Sequence, residues 1–414
     1  MEIFNKNTYH FIGIGGIGIS AIARMLVLKG KKVSGSDASQ SEITNDLEKL
    51  GIKIYIGQKA ENIPDDTEVV IYTVAISENN PELLEARKKG LIYVSYPEAL
   101  GELSYDMFTI AIAGTHGKTT TTAMIGHILK KAGLDPTIIV GSKMLSDSEK
   151  TGSNFLAGKS KYLVVEACEY KRSFLNLYPQ ILVITNIEAD HLDYYKDLSD
   201  IQSAFKELEQ KVSETGFVIK EENYKEVKED FELLIPGSHN IENAKAAIKA
   251  VETLGIPNEK AKEYLKDFKG TWRRLELVGE KDGNIFYSDY AHHPTEIRAS
   301  LTALKEKYPD RKIVCVFEAH QQSRTRLLFS DFVEALKLAD YVFIAPIFIT
   351  REEDDGETTN KKLAEAINKF VPAFPVEDVG ELKKKLEEIT PPSPLCLVFM
   401  GAGDIYKWIS YLSP

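Results

Sequence analysis

The chain has 414 residues, of which 43% are hydrophobic and 27% charged. This length is too great for one hydrophobic core and predicts two to four globular domains. It carries 51 basic and 62 acidic residues, a net charge of -11, and no basic stripe interleaved with aromatic residues, which argues against a nucleic-acid partner. The three cysteines are widely spaced and lack C-x-x-C spacing, which predicts neither disulfides nor a zinc knuckle and favours the reducing cytoplasm. The absence of a signal-like N-terminus and of a long apolar stretch favours a soluble protein without a membrane span.

The first segment, which ends at about Leu103, alternates between strand-like and helix-like runs. An apolar strand from Tyr9 to Ile12 runs into GIGGIG, a helix follows to about Gly30, and KKVSGSD supplies a second strand that ends at Asp37. A strand, a glycine-rich turn and a helix in this order are typical of a βαβ unit. We therefore predict an α/β domain over this segment.

The glycine loop of this segment has three interpretations. Gly13, Gly15 and Gly18 match G-x-G-x-x-G, and Asp37 follows at about the distance expected of a ribose-binding carboxylate, so the loop taken alone predicts NAD. A second phosphate loop further along the chain favours an ATP-using enzyme whose substrate is linked to another nucleotide. The third alternative is that the glycines only allow the helix to pack closely on the strand.

The second segment contains the strongest chemical signal. The apolar strand FTIAIAG leads through the loop Gly114-Thr115-His116-Gly117-Lys118-Thr119 into the helix AMIGHILKKAG. Backbone N–H groups at the helix start can hold phosphates, Lys118 can neutralise β- and γ-phosphate oxygens, and the Thr119 hydroxyl can bind Mg²⁺. The loop departs from G-x-x-x-x-G-K-[ST] because Ile112 stands where that pattern has its first glycine. The alternative is a glycine-rich turn without a ligand.

Polar side chains follow two further strands of this segment. Glu166 comes at the end of YLVVEA, and ILVITN ends at Asn186, shortly before Asp190 and His191. Open parallel sheets bind ligands at the carboxyl ends of their strands, so Glu166 and His191 are candidates for a Mg²⁺ or Mn²⁺ site beside a triphosphate. Each of them taken singly could be an ordinary polar strand end.

The third segment begins after a predicted linker near Gly270 and has the strands NIFYSDYA, KIVCVFEA, YVFIAP and CLVFMGAG. Helical stretches such as SDFVEALKLA and LKKKLEEI separate them, which indicates another α/β domain. The acidic run REEDDGETT is interpreted as a solvated loop.

At this point the sequence resembles the Mur ligase family over nearly its whole length. The resemblance rests on motifs in the order of that family: GIGGIGIS, GSD, AGTHGKTTTT, EACEYKRSF, TNIEADHLDYY, GSHNIENAKAA, WRRLE, DYAHHPTEI, SRT and GAGDI. It implies an α/β protein with the three-domain Mur ligase architecture. The implied domains are a Rossmann-like UDP-sugar-binding domain (1–104), a central P-loop ATPase domain (105–269) and a Rossmann-like C-terminal domain that binds the amino acid (270–414).

The resemblance also implies roles for individual residues. Lys118, Glu166, His191, Arg274, Asp289 and His292 are implied to be catalytic, with Thr119, Glu166 and His191 as metal ligands. The implied ATP site comprises Gly114, Thr115, His116, Gly117, Lys118, Thr119, Thr120, Asn240, Asn243, Arg274 and Asp289. The UDP-sugar is expected at Gly15, Gly16, Gly18, Ser20, Ser36 and Asp37, and the amino acid at Tyr290, His292 and Arg324. The asparagines of HNIEN could instead simply cap a helix.

The activity that the resemblance implies is ATP-dependent ligation of L-alanine to the lactyl carboxylate of UDP-N-acetylmuramate in peptidoglycan precursor synthesis. The carboxylate would attack the γ-phosphorus of ATP with Mg²⁺ or Mn²⁺ and Lys118 stabilising the charge. The amine of L-alanine would then attack the acyl phosphate, with His292 as the candidate proton acceptor. The expected partners are these substrates alone, and the oligomeric state is left open.

Three features depart from the family pattern. The stretch between His191 and His239 is shorter than usual, so a small strand-rich lobe of the central domain is expected to be absent. The usual F-Q-P-H-x-x-S-R-T is FEAHQQSRT here, and Gln58 follows Gly57 where the family favours histidine. Lys206 lies near the position of a carbamylated lysine in sister ligases. We regard it primarily as a solvated helix lysine.

Three other functions remain as alternatives. A ligase that attaches a recycled murein peptide to the same UDP-sugar would share almost every motif. An NAD-binding oxidoreductase would use GIGGIG and leave Lys118 without a role. A nucleotide-dependent switch would need the phosphate loop but not the third segment.

Overall fold

The computed structural model describes residues 3–145, 153–191, 194–349, 352–389 and 394–412. Its residues form two compact units, Met1–Phe231 with Glu242–Lys266, and Glu232–Ile241 with Asp267–Pro414. Among the described residues, no helix is both long enough and apolar enough to cross a lipid bilayer.

The first sheet of the first unit is entirely parallel and has the strand order β3-β2-β1-β4-β5. Apart from short 3₁₀ turns, its elements are β1 (Thr8–Ile12), α1 (Ile17–Leu28), β2 (Lys32–Asp37), α2 (Glu42–Lys49), β3 (Lys53–Ile56), β4 (Val69–Tyr72), α3 (Pro81–Lys88), β5 (Ile92–Ser95) and α4 (Tyr96–Asp106). The strand order reverses between β1 and β4. Open α/β sheets bind ligands at such a point, and the loop GIGGIG leaves the carboxyl end of β1 there.

The second sheet has the order β11-β10-β6-β9-β7-β8, and only the pair β7–β8 is antiparallel. Its elements are β6 (Phe108–Ala113), α5 (Lys118–Lys131), β7 (Thr137–Met144), β8 (Ser153–Leu156), β9 (Tyr162–Glu166), a 3₁₀ helix (Tyr170–Asn176), β10 (Ile181–Ile184), α6 (Leu198–Glu209), β11 (Phe217–Ile219), α7 (Glu221–Tyr224), α8 (Ser238–Glu252) and α9 (Asn258–Leu265). The central strand β6 has neighbours on both sides and an almost wholly apolar, buried sequence, as a parallel strand covered on two faces requires.

The two sheets of the first unit share one hydrophobic core. Buried side chains from the first sheet, such as Phe11 and Leu103, belong to the same cluster as Leu163 and Phe205 from the second. Helix α4 packs against the 3₁₀ helix Tyr170–Asn176. The apolar surface of the first sheet is therefore partly covered by the second sheet and its helices.

The second unit contains one sheet with the order β12-β13-β17-β14-β15-β16, parallel except for the pair β12–β13. Its elements are β12 (Glu276–Lys281), β13 (Asn284–Asp289), α10 (Pro294–Lys307), β14 (Lys312–Phe317), α11 (Gln322–Leu327), α12 (Phe329–Leu336), β15 (Tyr341–Ile344), α13 (Asn360–Ile367), β16 (Ala373–Pro375), α14 (Val379–Ile389), β17 (Leu395–Met400) and a 3₁₀ helix (Ile405–Tyr411). With three mostly parallel, helix-covered sheets, the predicted α/β class is confirmed.

The acidic run REEDDGETT, predicted to be a solvated loop, has a structural role in residues 352–359. Glu352 accepts a hydrogen bond from the Ser323 N–H at 3.1 Å, and Asp354 accepts one from the Gln322 side chain at 2.7 Å. Glu352 also accepts a hydrogen bond from the Gln322 N–H, so it satisfies the first N–H groups of α11, while Asp354 holds the Gln322 side chain. The acidic run thereby fixes the start of the helix that carries Arg324. Arg351 lies outside the described residues.

Candidate functional site

The predicted phosphate loop lies between β6 and α5 and needs glycine at two positions. Gly114 has φ +137° and Gly117, the residue before α5, has φ +83°. A Cβ atom on Gly114 would lie 2.0 Å from Oγ1 of Thr185. Ile112, which occupies the position of the usual first glycine, is an interior residue of β6. The turn therefore begins later than in G-x-x-x-x-G-K-[ST], and a side chain is tolerated at 112.

The end of β10 holds this loop in place. Thr185 donates a hydrogen bond from its hydroxyl to the carbonyl of His116 at 2.6 Å. Asn186 accepts one from the Thr115 N–H at 3.0 Å through its carbonyl and one from the His116 N–H at 2.9 Å through its side chain. Helix geometry leaves the N–H groups of the first turn of α5 without intrahelical acceptors. The loop is thus preorganised for an anion at the helix start, as a triphosphate requires.

Lys118 is held over the loop by three acceptors. Its ammonium donates to the carbonyl oxygens of Gly114 at 2.5 Å and Thr115 at 3.0 Å, and to Oε1 of Glu169 at 3.1 Å. Burial acts to lower the pKa of Lys118, but the charge of Glu169, supported by Cys168 and Glu166, outweighs it, and the pKa is raised. Lys118 therefore carries a positive charge at the predicted position of the γ-phosphate.

Thr119 and Glu166 are brought together as predicted. Oγ1 of Thr119 lies 3.0 Å from both carboxylate oxygens of Glu166. The N–H of Gly141 in β7 donates to Oε2 of Glu166 at 2.7 Å, which fixes the carboxylate from its other side. A hydroxyl and a carboxylate at this spacing offer the oxygen ligands that Mg²⁺ prefers, so the pair fits the predicted ion.

The structure places His191 against a carboxylate that the sequence analysis does not single out. Nε2 of His191 lies 3.7 Å from Oε1 of Glu169, and its ring centroid lies 5.0 Å from that of Tyr170. Glu169 is buried and contacts both Lys118 and His191. Its signal in the sequence is its place three residues after Glu166 in EACEY, on the turn that follows β9.

The glycine loop of the first sheet is tied to the end of β2. Gly13 has φ +76°, and its N–H and that of Ile14 donate to the carbonyl of Ser36 at 2.8 and 2.9 Å. The N–H of Gly15 donates to Oδ2 of Asp37 at 2.8 Å. Gly16 precedes the first turn of α1. Asp37 therefore fixes the conformation of the loop through one oxygen.

Two serines predicted to bind the UDP-sugar have hydrogen-bond partners within the protein. Ser36 is fully buried and donates to Oε2 of Glu82 at 2.7 Å, and the buried Ser20 donates to the carbonyl of Ile17 at 3.0 Å. Asn154 of β8 donates to Oγ of Ser20 at 3.0 Å. Both hydroxyls thus hold the framework around the glycine loop.

Gln58, which replaces a family histidine, also has a partner. Its Oε1 accepts a hydrogen bond from the side chain of Asn80 at 2.5 Å. Asn80 is buried and caps α3 through its Oδ1. The side chain at position 58 is therefore oriented by the start of that helix.

In the second unit, the predicted amino-acid-binding residues gather at the carboxyl ends of β13 and β14. The Nδ1–H of His292 donates to the carbonyl of Tyr290 at 2.9 Å, which leaves Nε2 as the basic nitrogen. The rings of His292 and His320 lie 5.8 Å apart, and Nη1 of Arg324 lies 3.4 Å from Nδ1 of His320. The guanidinium of Arg274 lies 5.0 Å from the centre of the Tyr290 ring.

The two arginines of WRRLE differ in their surroundings. Arg273 is buried, its guanidinium lies 4.4 Å from the ring centre of Tyr406, and it donates to the carbonyl of Gly401. Arg274 is more exposed, and its Nη1 lies 3.8 Å from a Glu296 oxygen. Arg273 therefore serves the packing of its own unit, and Arg274 is the one available to a ligand.

Asp289 and the HNIEN asparagines complete the predicted set. Asp289 is buried, and burial raises its pKa to about 6, although the Ser300 hydroxyl donates to it at 2.5 Å and acts to lower that pKa. Asn240 donates to the carbonyl of Pro236 at 2.7 Å. Asn243 places Oδ1 so near Gly117 that a Cβ atom there would lie 2.2 Å from it. Both asparagines lie in the first turns of α8.

Thr120 and Lys206 remain to be placed. Thr120 is buried in the first turn of α5. Lys206 lies on α6 with an exposed side chain, the arrangement expected of a solvated helix lysine.

Three family models match the chain in sequence. They describe the Mur ligase family catalytic domain (residues 8–106), the Mur ligase middle domain (112–228) and the Mur ligase glutamate ligase domain (273–403). Among curated proteins, the UDP-N-acetylmuramate--L-alanine ligase of Clostridium kluyveri is 41% identical, with 98% of each chain covered. The same enzyme of Clostridium acetobutylicum is 40% identical, with 96% of this chain and 95% of that one covered.

Solved structures match over the same length. UDP-N-acetylmuramate-alanine ligase from Thermotoga maritima has a TM-score of 0.82 and 29% identity, with 98% of each chain covered. A murein peptide ligase from Psychrobacter arcticus has a TM-score of 0.70 and 24% identity, also with 98% of each chain covered, a likeness that shows the fold. The alignment with the Clostridium kluyveri protein spans 452 positions, more than the length of this chain, so that relative has segments without a counterpart here.

Proposed function

Because the chain belongs to the Mur ligase family, we propose that it is an ATP-dependent ligase that joins L-alanine to the lactyl carboxylate of UDP-N-acetylmuramate through an acyl phosphate. The observation that carries this proposal is the geometry of Lys118. A largely buried ammonium over a glycine-rich loop at a helix start, with a hydroxyl and a carboxylate beside it, suits phosphoryl transfer. An NAD-binding oxidoreductase would have no use for a second phosphate-binding loop with this lysine.

In this mechanism, the first unit provides the phosphoryl-transfer site. Lys118 and the helix start of α5 would bind the γ-phosphate and stabilise the charge that develops as the lactyl carboxylate attacks phosphorus. Thr119 and Glu166 would hold Mg²⁺, with His191 and Glu169 nearby, and the ion would neutralise phosphate oxygens. We include Glu169 among the residues of this site because it holds Lys118 in place.

The second unit would supply the acceptor amine. Arg324 would bind the L-alanine carboxylate by paired hydrogen bonds, with Tyr290 and His320 beside it. His292 directs Nδ1 to a backbone carbonyl, so its Nε2 can take the proton of the attacking amine. We further propose the three-domain division at 1–104, 105–269 and 270–414. Arg274, Asp289 and Asn240 are proposed to contribute to ATP binding.

The experiment that tests the phosphoryl-transfer site is Lys118→Ala. We expect ADP formation in the presence of both substrates to fall by at least about 1000-fold, because the charge that stabilises the transferred phosphoryl group is lost. Lys130→Ala, at the other end of the same helix, is the matched control and should keep full activity. Near-normal turnover by Lys118→Ala, with the folded state retained, would refute the assignment.

The identity of the acceptor is tested by competition. With UDP-N-acetylmuramate and ATP present, phosphate release should depend on L-alanine and should not be increased by the murein tripeptide. Preference for the tripeptide would favour the murein-peptide ligase instead.

A further inference from the structure

Tyr96 lies where the two sheets of the first unit meet, and its backbone is fixed. It is the first residue of α4, directly after β5. Ser95 and Glu98 form a capping box across it, with the Ser95 N–H donating to Oε2 of Glu98 at 2.7 Å, and Pro97 follows. A capping box and a proline at the helix start restrict the local backbone, so the point from which the Tyr96 side chain extends is well determined.

Helix α4 is also fixed against the second sheet. A Cβ atom on Gly101 would lie 2.5 Å from the carbonyl oxygen of Asn176, at the end of the 3₁₀ helix that follows Glu169. The hydroxyl of Ser104 accepts a hydrogen bond from the Tyr178 N–H at 3.0 Å. Tyr96 is thus attached to the first sheet through β5 and to the second through α4.

The ring of Tyr96 packs on the glycine loop of the first sheet. A Cβ atom on Gly18 would lie 2.7 Å from the Tyr96 hydroxyl oxygen and 2.8 Å from the ring carbon that bears it. The absence of a side chain at Gly18 therefore gives the phenol its place beside the first turn of α1. This is the helix start at which a diphosphate is expected.

The surroundings of the Tyr96 hydroxyl include charged groups of the second sheet. Burial raises the pKa of Tyr96, and the charges of Cys168 and Glu166 add to the effect, so Glu166 lies within electrostatic range. The side chain is only half-buried, and its hydroxyl makes no hydrogen bond with the described residues. This neutral phenol, which packs on the glycine loop, therefore has a proton to donate and no acceptor for it in the described part of the chain.

We propose that Tyr96 is a substrate-binding residue whose hydroxyl donates a hydrogen bond to an anionic oxygen of the sugar nucleotide, where that substrate passes from the glycine loop towards Lys118. This inference rests on the proposed function, because it takes the sugar nucleotide as the ligand of the glycine loop. Two groups of that ligand offer the required acceptor, a diphosphate oxygen and the lactyl carboxylate.

The test is Tyr96→Phe, which removes one oxygen atom and keeps the ring on Gly18. Because a hydrogen bond to a charged group is stronger than one between neutral groups, we expect KM for UDP-N-acetylmuramate to rise by about tenfold or more. KM for ATP should change less than twofold, and the melting temperature should stay unchanged because no protein hydrogen bond is lost.

Tyr9→Phe is the matched control. The Tyr9 hydroxyl donates to the carbonyl of Ile3 at 2.8 Å in the interior of the same unit, away from both loops. We expect this variant to lose thermal stability and to keep the native KM values. Tyr96→Phe should therefore change substrate affinity but not stability, and Tyr9→Phe should change stability but not substrate affinity.

A third measurement separates the two acceptor groups. UDP-N-acetylglucosamine carries the diphosphate but no lactyl carboxylate, so its binding by calorimetry identifies the group. Weaker binding to Tyr96→Phe than to the native protein would place the hydroxyl on the diphosphate. An effect confined to UDP-N-acetylmuramate would place it on the carboxylate.

The inference would be overturned if Tyr96→Phe kept both KM and the dissociation constant for UDP-N-acetylmuramate within twofold of the native values. It would also be overturned if Tyr9→Phe showed the same rise in these two constants. If the native protein binds UDP-N-acetylmuramate but forms no ADP with it, the proposed function fails while calorimetry still tests Tyr96. If the native protein does not bind this compound, both proposals fail.

Discussion

Asp289 shows how one buried carboxyl group gives the second unit a pH-dependent stability. Burial raises its pKa from 3.8 to about 6. Between these two values the folded protein binds more protons at this residue than the unfolded chain does, so the contribution of Asp289 to stability falls as pH rises from about 4 to 6. Its ionised form is thus the unfavourable one in the folded protein.

Asp289→Asn should remove this pH dependence. Relative to the native protein, the free energy of unfolding of the variant should rise by roughly 2.5 kcal/mol between pH 4 and pH 7, because each pKa unit corresponds to about 1.4 kcal/mol. Urea unfolding at several pH values measures the difference. Asp282→Asn, at an exposed turn, is the control and should run parallel to the native curve. Parallel curves for Asp289→Asn would mean that Asp289 titrates normally in the folded protein.

At the scale of elements, the start of α5 depends on a residue without a side chain. Gly117 has φ +83°, a conformation that L-residues rarely adopt, and its Cα lies close to the side chain of Asn243 from α8. Gly133 follows the end of the same helix with φ +77° and has open space where a Cβ atom would be. The two glycines share a left-handed backbone conformation but differ in their surroundings.

Gly117→Ala should therefore abolish nucleotide binding, whereas Gly133→Ala should not. Both variants should lose about 1 kcal/mol of stability from the left-handed backbone. Only Gly117→Ala should also displace Asn243 or the loop, since its Cβ would lie 2.2 Å from Oδ1 of Asn243. Thermal unfolding with and without ATP and Mg²⁺ measures this. A full ATP-dependent shift in Gly117→Ala would contradict the tight packing at that position.

Not every element could be predicted from the sequence. Strands that are buried on both faces, such as β6, β9, β10 and β14, are continuous apolar runs and are predicted at nearly their observed places. The pair β7–β8 was not predicted, because its strands contain glycine and polar residues. One of them, Lys143, is buried and pairs with Glu42 of α2, a partner distant along the chain. Yet β7 supplies the Gly141 N–H that fixes Glu166.

For the whole molecule, the shared core predicts that the two sheets of the first unit unfold together. Leu103 of α4 is buried in the cluster that joins them. Leu103→Ala should cost about 2–5 kcal/mol and should increase hydrogen exchange in strands of both sheets. Leu84→Ala is the control, since that side chain is 47% exposed. Faster exchange confined to the first sheet would show that the sheets unfold separately.

The sequence by itself determined the α/β class, the family and the two glycine-rich loops, since these depend on local patterns: apolar runs, glycines with positive φ, and a lysine and a threonine at a helix start. The tertiary structure decided which side chains meet. It showed that Glu169 holds Lys118, that the hydroxyls of Ser20 and Ser36 have protein partners, and that Tyr96 lies on Gly18. These contacts join residues distant along the chain, and sequence spacing can place side chains at the same edge of a sheet but does not give which of them come within hydrogen-bonding distance.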